Sequence, residues 1–171
     1  MQEYTVKIDD EYTIRWFKPG TNQVHRLDGP ALEYADGTKY WYQNDKRHRV
    51  DGPAVEYANG SKEWYQNGNR HRLDGPAREY ANGAKYWYQN GNRHRLDGPA
   101  IEYANGAKYW YQNDKYHRLD GPAIEWADGD KTWFIEGVEY TEAEFNAKVS
   151  VKELTVAEIS TLLGYEVKVV K

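Results

Sequence analysis

The chain has 171 residues, with 23 Lys and Arg against 27 Asp and Glu, seven Trp, 16 Tyr and no Cys. The small net charge of −4 leaves no basic field for nucleic acid, and the lack of Cys excludes disulfides, thiolate zinc sites and a Cys nucleophile. No apolar run approaches the roughly 18 residues of a membrane span, and the first residues lack the pattern of a signal peptide. We therefore expect a folded cytoplasmic protein with a core of Trp and Tyr, and neither a nucleic-acid nor a membrane partner.

Residues 1–24 are predicted to form an N-terminal β cap, of which Tyr12 to Val24 resembles half of the unit that follows. The unit begins with His-Arg-Leu-Asp-Gly-Pro-Ala and recurs every 23 residues, with Val50 in place of Leu in the second copy. Five copies, over residues 25–136, predict a one-dimensional repeat array in which each unit packs on the next. The copies start at His25, His48, His71, His94 and His117.

Each unit carries two turn signals, which predict two hairpins. The first signal is Asp-Gly or Asn-Gly, as at residues 36–37, and it predicts a two-residue type I′ loop in which Glu33 pairs with Tyr40. The second signal is Asn-Gly or the weaker Asn-Asp, as at residues 44–45. Placed side by side, these hairpins predict a continuous antiparallel meander.

Side chains alternate along a strand, so this register predicts two different sheet faces. Trp41 and Val50 are expected on one face. Tyr40 and Arg49 are expected on the other. Because the spacing of apolar residues changes parity after Val50, a kink is predicted at residues 51–53, where Gly allows a bulge and Pro removes a ladder donor.

Residues 137–171 differ in composition and are predicted to form a helix-helix-strand cap over the last edge of the sheet. Thr141 and Thr155 are each followed three residues later by Glu, the spacing of a capping box that opens a helix. Residues 165–170 alternate like a strand. The predicted fold class is mainly β, an elongated single-layer array of antiparallel β-hairpins with a small C-terminal α/β cap.

The repeated His residues invite a metal or catalytic interpretation, but their spacing favours a structural one. Equivalent His residues are expected about 9–10 Å apart, too far for two ligands that each lie about 2.0–2.1 Å from one zinc ion. We predict that each His packs opposite a Trp with one ring nitrogen bonded to the backbone, and that each Asp of Asp-Gly-Pro accepts from amides of its own turn. Because phosphate-loop, nucleophile-elbow and zinc-protease motifs are missing from the sequence, we expect no catalytic residue, metal, cofactor or enzyme activity.

The predicted Tyr40 face combines Tyr, Arg and Glu, with Glu63 opposite Arg72. One interpretation is a solvated sheet face, and the other is an elongated surface for a partner protein, because Tyr and Arg are enriched in binding hot spots. Arg78 stands where other units have an apolar residue, and is either a snorkelling stem or a specific contact. The candidate partner-binding residues are Tyr40, Tyr42, Arg49, Glu63, Tyr65, Arg72, Arg78, Tyr86, Tyr88, Arg95, Tyr109, Tyr111 and Arg118.

The run Trp-Tyr-x-Asn-Gly-x-Arg-His, followed after a glycine by x-Glu-Tyr-Ala-(Asp/Asn)-Gly-x-Lys-Tyr at a period of 23, resembles the MORN repeat. It is more similar to the variant found in bacterial and phage proteins, including antitoxin-like ones. The resemblance covers Tyr12 to about Phe145, and residues 133–145 are similar to the usual exit from phage arrays. The family's short Gly-x-Gly step is replaced here by Leu-Asp-Gly-Pro-Ala. MORN-like arrays are interaction and scaffolding modules, sometimes membrane-associated, so the resemblance implies binding without enzyme activity.

The leading hypothesis is a non-enzymatic phage or bacterial protein that binds a partner protein through its Tyr/Arg/Glu face, as a counter-defence or host-takeover factor. One alternative is an antitoxin or immunity protein that neutralises a toxin. Another is a small-molecule or nucleotide-binding protein in which Arg and Tyr hold the ligand. The sequence leaves the identity of the partner and the oligomeric state open.

Overall fold

A computed structural model describes residues 3–150, 156–163 and 166–168 of the chain. It confirms the predicted fold class, because antiparallel β-hairpins build a sheet of 13 strands and helices follow at the C-terminal end. Within these residues, no helix combines the length and the hydropathy of a membrane-crossing segment.

Two strands precede the repeats, β1 (Thr5–Ile8) and β2 (Ile14–Phe17). Units one to four then contribute four strands of two residues each: β3 (Leu32–Glu33), β4 (Lys39–Tyr40), β5 (Tyr42–Gln43), β6 (Lys46–Arg47), β7 (Val55–Glu56), β8 (Lys62–Glu63), β9 (Tyr65–Gln66), β10 (Asn69–Arg70), β11 (Arg78–Glu79), β12 (Lys85–Tyr86), β13 (Tyr88–Gln89), β14 (Asn92–Arg93), β15 (Ile101–Glu102), β16 (Lys108–Tyr109), β17 (Tyr111–Gln112) and β18 (Lys115–Tyr116). The last unit contributes β19 (Ile124–Glu125) and β20 (Lys131–Ile135), and β21 (Val138–Tyr140), α1 (Glu142–Val149) and α2 (Val156–Leu163) follow.

The main sheet takes the first two strands of every unit, in the order β1-β2-β3-β4-β7-β8-β11-β12-β15-β16-β19-β20-β21. The other two strands of units one to four form separate hairpins, β5–β6, β9–β10, β13–β14 and β17–β18. A Trp residue joins the two parts of each unit. The backbone N–H of Trp41 donates to the carbonyl of Ala54 (2.8 Å), and the Trp41 carbonyl accepts from the N–H of His48 (3.1 Å).

The first turn of each unit differs from the prediction by one residue. Tyr40 pairs with Leu32, and Glu33 pairs with Lys39. The loop has three residues, since the N–H of Tyr34 donates to the carbonyl of Thr38 (2.9 Å) and Gly37 adopts a φ of +91°. This is the hairpin built from a type I turn and a left-handed Gly, which an Asp-Gly pair suits as well as it suits type I′. The predicted two-residue loop is therefore wrong for this turn.

The second turn of each unit is the two-residue type I′ loop. Both central residues have positive φ, 51° at Asn67 and 89° at Gly68. Tyr42 accordingly pairs with Arg47 around the equivalent loop of the first unit. The prediction for this second turn is confirmed, including its weaker Asn-Asp versions, because Asn44 and Asp45 also have positive φ.

A one-residue change of register moves every side chain to the opposite face. One face, here called the tyrosine face, carries the cross-strand row Leu32, Tyr40, Val55, Glu63, Arg78, Tyr86, Ile101, Tyr109 and Ile124. The other face carries the alternating row Glu33, Lys39, Glu56, Lys62, Glu79, Lys85, Glu102, Lys108, Glu125 and Lys131.

The predicted faces are corrected accordingly. Tyr40 lies with the apolar residues of the row rather than with Glu33. Trp41 lies on the side of the charged row, because Arg49 stacks on its ring and pairs with Glu56. Val50 lies on the side of Trp41 as predicted, but in the loop that precedes residues 51–53, where it is 79% exposed. Small core clusters lie along the sheet, and residues of both faces pack against them, as Tyr40 and Trp41 do at the first. One consists of Ala54, Val55 and Tyr65, and another consists of Ala100, Ile101 and Tyr111.

The C-terminal cap agrees with the prediction in its helices. Thr141 and Glu144 form the predicted capping box, and Phe145 of α1 is buried. Thr155, the predicted cap of the second helix, lies outside the described residues. The predicted strand over residues 165–170 lies partly outside them, and residues 166–168 form no strand. There the N–H of Val167 donates to the side-chain oxygen of Ser160 in α2 (2.9 Å).

Candidate functional site

Each unit fixes one Arg against one Trp. The guanidinium carbon of Arg49 lies 4.2 Å from the ring centre of Trp41. Its Nε donates to Asp51 (3.0 Å), and its Nη1 donates to Glu56 (3.1 Å) and to the carbonyl of Pro53 (3.2 Å). Both charge and donors of the Arg are thus satisfied by its own unit, which holds the side chain in one place. The same Arg-Trp stack occurs at Arg26 on Trp16, Arg72 on Trp64, Arg95 on Trp87 and Arg118 on Trp110.

The Asp-Gly-Pro loop gives this Arg its room. A Cβ atom added at Gly52 would lie 3.0 Å from the guanidinium carbon of Arg49. Gly52 does not adopt a left-handed φ, so this glycine is required for close approach and not for the predicted bulge.

The Asp of each loop accepts chiefly from this Arg. The predicted structural role is supported, but its main donor is the Arg side chain and not the turn amides. The hydrogen bond from Arg49 is the largest cause that lowers the pKa of Asp51, and the backbone amide of Asp51 adds to it. Arg lowers the pKa of the Asp in the same way at Asp28, Asp74, Asp97 and Asp120.

Grooves of constant composition lie between neighbouring units on this side of the sheet, here called the arginine–tryptophan face. Between units four and five, the Arg-Leu-Asp loop of each unit forms one wall, and Trp110, Gln112 and His117 lie between the walls. The groove volumes from the first junction to the fourth are 550, 520, 570 and 530 Å³, so the junctions offer nearly the same space. The apolar residue of each wall is exposed to solvent: Leu27 52%, Val50 79%, Leu73 75%, Leu96 75% and Leu119 55%.

Each His connects the start of its unit to the second hairpin of the same unit. The Nδ1 atom of His117 accepts from the N–H of Glu136 (3.1 Å), at the second turn of the following hairpin. This confirms the prediction that one ring nitrogen is bonded to the backbone. Among the described residues, no group of three or more His, Asp or Glu is placed to hold a metal ion. The equivalent bonds run from Asn44 to His25, from Asn67 to His48, from Asn90 to His71 and from Asn113 to His94.

The predicted surface residues divide between the two faces. Four of the five predicted Arg residues, Arg49, Arg72, Arg95 and Arg118, belong to the arginine–tryptophan face, stacked and ion-paired as above. The predicted Tyr residues lie on the tyrosine face, where rings contact one another. Tyr86, for example, meets Tyr103 edge to face at 5.8 Å. Tyr65 and Tyr111 are buried, and Tyr40, Tyr42, Tyr88 and Tyr109 are half-buried.

The remaining two predicted residues, Glu63 and Arg78, form the centre of a charged cluster. Glu63 is 1% exposed, and the Nε atom of Arg78 lies 3.0 Å from its carboxylate. The hydroxyl of Tyr65 donates to Glu63 (2.6 Å), the hydroxyl of Tyr57 donates at 3.3 Å, and the Nε atom of Arg70 donates at 3.3 Å. The predicted pairing of Glu63 with Arg72 is therefore wrong, because the hairpin ladder ends at His71 and the N–H of Arg72 bonds to the carbonyl of Tyr88. Arg78 is a specific contact.

The cluster keeps Glu63 ionised. Burial alone would raise the pKa of its carboxyl group, but the Tyr65 hydrogen bond and the positive charges of Arg70 and Arg78 outweigh that effect and lower it. The same carboxylate acts on its neighbours. Burial and the negative charge of Glu63 raise the pKa of Tyr57 to about 12.

The prediction missed the grooves. Their Leu, Gln and His residues were not included, although one sequence signal was present: the exposed Leu precedes Asp-Gly-Pro, a segment that cannot continue a strand. No protein-family model matches the chain, and a search of curated proteins finds no significant match.

Proposed function

We propose that the chain is a non-enzymatic repeat protein that binds a partner protein through the arginine–tryptophan face. The observation that carries this proposal is the row of five apolar side chains, between 52% and 79% exposed, at the same place in successive units. Isolated exposed apolar residues need no explanation, but a regular row of them beside Trp and Arg has the composition of a protein interface.

The arginines support this choice of face. Each is held by a Trp, an Asp and a Glu, as at Arg72, so little side-chain entropy would be lost on binding. The tyrosine face offers less, because its rings already bury one another and Glu63 already has its partners. The MORN-like period of 23 residues supports the same proposal, because such arrays are interaction modules. We propose that the partner is a host protein or a toxin.

The proposal can be tested with substitutions at exposed positions. Affinity capture from a host lysate would compare the wild type with a Leu73→Asp/Leu96→Asp variant, and with Ala81→Asp/Ala104→Asp as a control that adds the same charge at exposed positions of the first turns. We expect the wild type and the control to retain the same protein and the Leu variant to lose it. Equal capture by all three proteins would refute the proposal.

Arg residues are unsuitable for this test. Charge reversal at Arg72 would remove its stack on Trp64 and place a third acid beside Asp74 and Glu79. Loss of binding would then be inseparable from loss of the fold.

A further inference from the structure

The spacing between the grooves can be compared with the side-chain repeat distances of regular ligand conformations. Each unit adds two strands to the main sheet, and neighbouring strands lie about 4.7–4.9 Å apart, so the grooves recur about every 9.4–9.8 Å. A polyproline-II helix has three residues per turn and rises about 3.1 Å per residue, so it places a side chain on one side about every 9.3 Å. A β-strand repeats about every 6.4–6.8 Å and an α-helix about every 5.4 Å. Of these three forms, only polyproline II matches the period of the grooves.

The grooves also offer the hydrogen-bond donors that such a ligand lacks. A polyproline-II segment has no internal hydrogen bonds and leaves its carbonyl oxygens free to accept. In the fourth groove, Nδ1 of His117 accepts from Glu136, so the neutral ring carries its proton on Nε2. Neither this Nε2 nor the side-chain amide of Gln112 forms a hydrogen bond with a described residue. Both groups line the groove and can donate to a carbonyl.

The charges of the grooves favour an uncharged ligand. Every Arg is balanced by an Asp and a Glu, as Arg95 is by Asp97 (2.9 Å) and Glu102 (3.1 Å). A chain of phosphates would find no unpaired Arg here and would meet exposed Asp side chains, 84% exposed at Asp97. A Trp and two exposed aliphatic residues beside each groove, Leu or Val50, suit the rings and methylenes of a Pro-rich segment, the composition of known polyproline-II sites.

We propose that the four grooves together bind a polyproline-II segment of the partner protein, with one residue in every three directed into a groove. This inference rests on the function proposed above and names the partner's recognised form. Three intervals of about 9.4–9.8 Å separate the first groove from the fourth, and about ten residues of polyproline II cover that distance.

Synthetic peptides test the spacing directly. The probe is acetyl-(Pro-Pro-Leu)4-amide, titrated into the full chain by calorimetry and Trp fluorescence. The control is acetyl-(Pro-Pro-Pro-Leu)3-amide, which has the same number of residues but directs successive Leu side chains to different sides. We expect the probe to bind at least about tenfold more tightly than the control, and more tightly than (Pro-Pro-Leu)2, because each further groove adds a tethered contact.

Variants locate the binding site of the peptide. Leu73→Asp/Leu96→Asp is expected to weaken binding at least about tenfold, while Ala81→Asp/Ala104→Asp leaves it unchanged. Absence of saturable binding up to about 1 mM peptide, which corresponds to a binding free energy of about −4.1 kcal/mol, overturns the inference. Equal affinity for the two peptide spacings overturns it as well. If the Leu variant loses the captured partner but the wild type ignores the peptide, partner binding stands and the polyproline-II inference fails.

Discussion

The charged cluster around Glu63 and Arg78 can be replaced by the residues that other units carry at the same positions. This replacement tests whether stability depends on the pairing of the two charges or only on the burial of the side chains. The two changes are Glu63→Tyr and Arg78→Ile, since Tyr86 and Ile101 occupy the equivalent places one unit, or two strands, further along the main sheet. Each change is made alone and then both are made together.

The structure sets the expected magnitudes. Glu63→Tyr removes a carboxylate that is 1% exposed and leaves the side chains of Arg70 and Arg78, which are 32% and 27% exposed, without their acid. Removing one partner of a buried ion pair costs about 3–5 kcal/mol of unfolding free energy. Because both Arg residues are partly exposed, we expect a loss of about 3 kcal/mol. Arg78→Ile leaves Glu63 with Arg70 and two Tyr hydroxyls, so we expect a loss of about 1.5–3 kcal/mol.

The double variant carries the informative result. Replacing a whole buried ion pair by packed residues is often neutral or stabilising by about 1–4 kcal/mol, so the double variant should be at least as stable as either single one. Urea unfolding, followed by circular dichroism and Trp fluorescence, gives the coupling energy. Single losses that add to within about 0.5 kcal/mol would show that the two side chains act independently, and the reasoning would be wrong.

The same cycle has a pH arm. The pKa of Glu63 is lowered in the folded chain, so its contribution is complete above the unfolded pKa of about 4.3 and is lost as the pH falls through the folded value. Between about pH 5 and pH 3 the wild type should therefore lose more stability than the double variant. Parallel acid profiles for the two proteins would contradict this assignment.

Three further predictions concern other contacts. Gly75→Ala places a Cβ atom 2.9 Å from the guanidinium carbon of Arg72 and should cost at least about 0.5–1 kcal/mol in urea unfolding through loss of the Trp stack; an unchanged midpoint would show that the Arg moves without penalty. His71→Ala removes the acceptor of the Asn90 N–H, so amide exchange at Asn90 should accelerate and stability should fall by about 0.5–1.5 kcal/mol, while unaltered protection of that amide would count against this link between the His and the second hairpin of its unit. Because the pKa of Tyr57 is raised to about 12, stability should be complete below the unfolded value of about 10 and decline as the pH rises through 12; Tyr57→Phe should flatten that decline, and an identical alkaline profile would disprove it.

The repeat architecture could be predicted because the signals for it are local. The 23-residue period indicated the array, the turn dipeptides indicated where the hairpins turn, and the capping box at Thr141 indicated where α1 begins. The first turn was mispredicted because Asp36-Gly37 suits two hairpin loops that differ by one residue. Neither loop violates a local rule, and the choice between them depends on packing across strands.

That single residue accounts for one of the errors at the candidate site. Glu63 and Arg78 are both visible in the sequence as departures from the repeat, but their pairing appears only in the correct register. The Trp and Arg residues were assigned to opposite faces for another reason: alternation was extended past His48, whereas the N–H of Arg49 bonds to the carbonyl of Tyr65 instead of continuing the hairpin. The grooves were missed for a different reason, because they lie in loops between strands, where side-chain alternation predicts nothing.

The Arg-Trp stack between neighbouring units has a consequence for how the array can change in length. Every junction uses the same backbone bond from a Trp N–H to an Ala carbonyl and the same Arg-Trp stack, so a duplicated or deleted segment of 23 residues recreates these bonds at its ends. Recombination within the gene can therefore add or remove a junction without redesigning it. The exception is the boundary between units two and three, where the Glu63–Arg78 pair crosses. An exchange there would leave one charge without its partner, so natural length variants should keep these two units together.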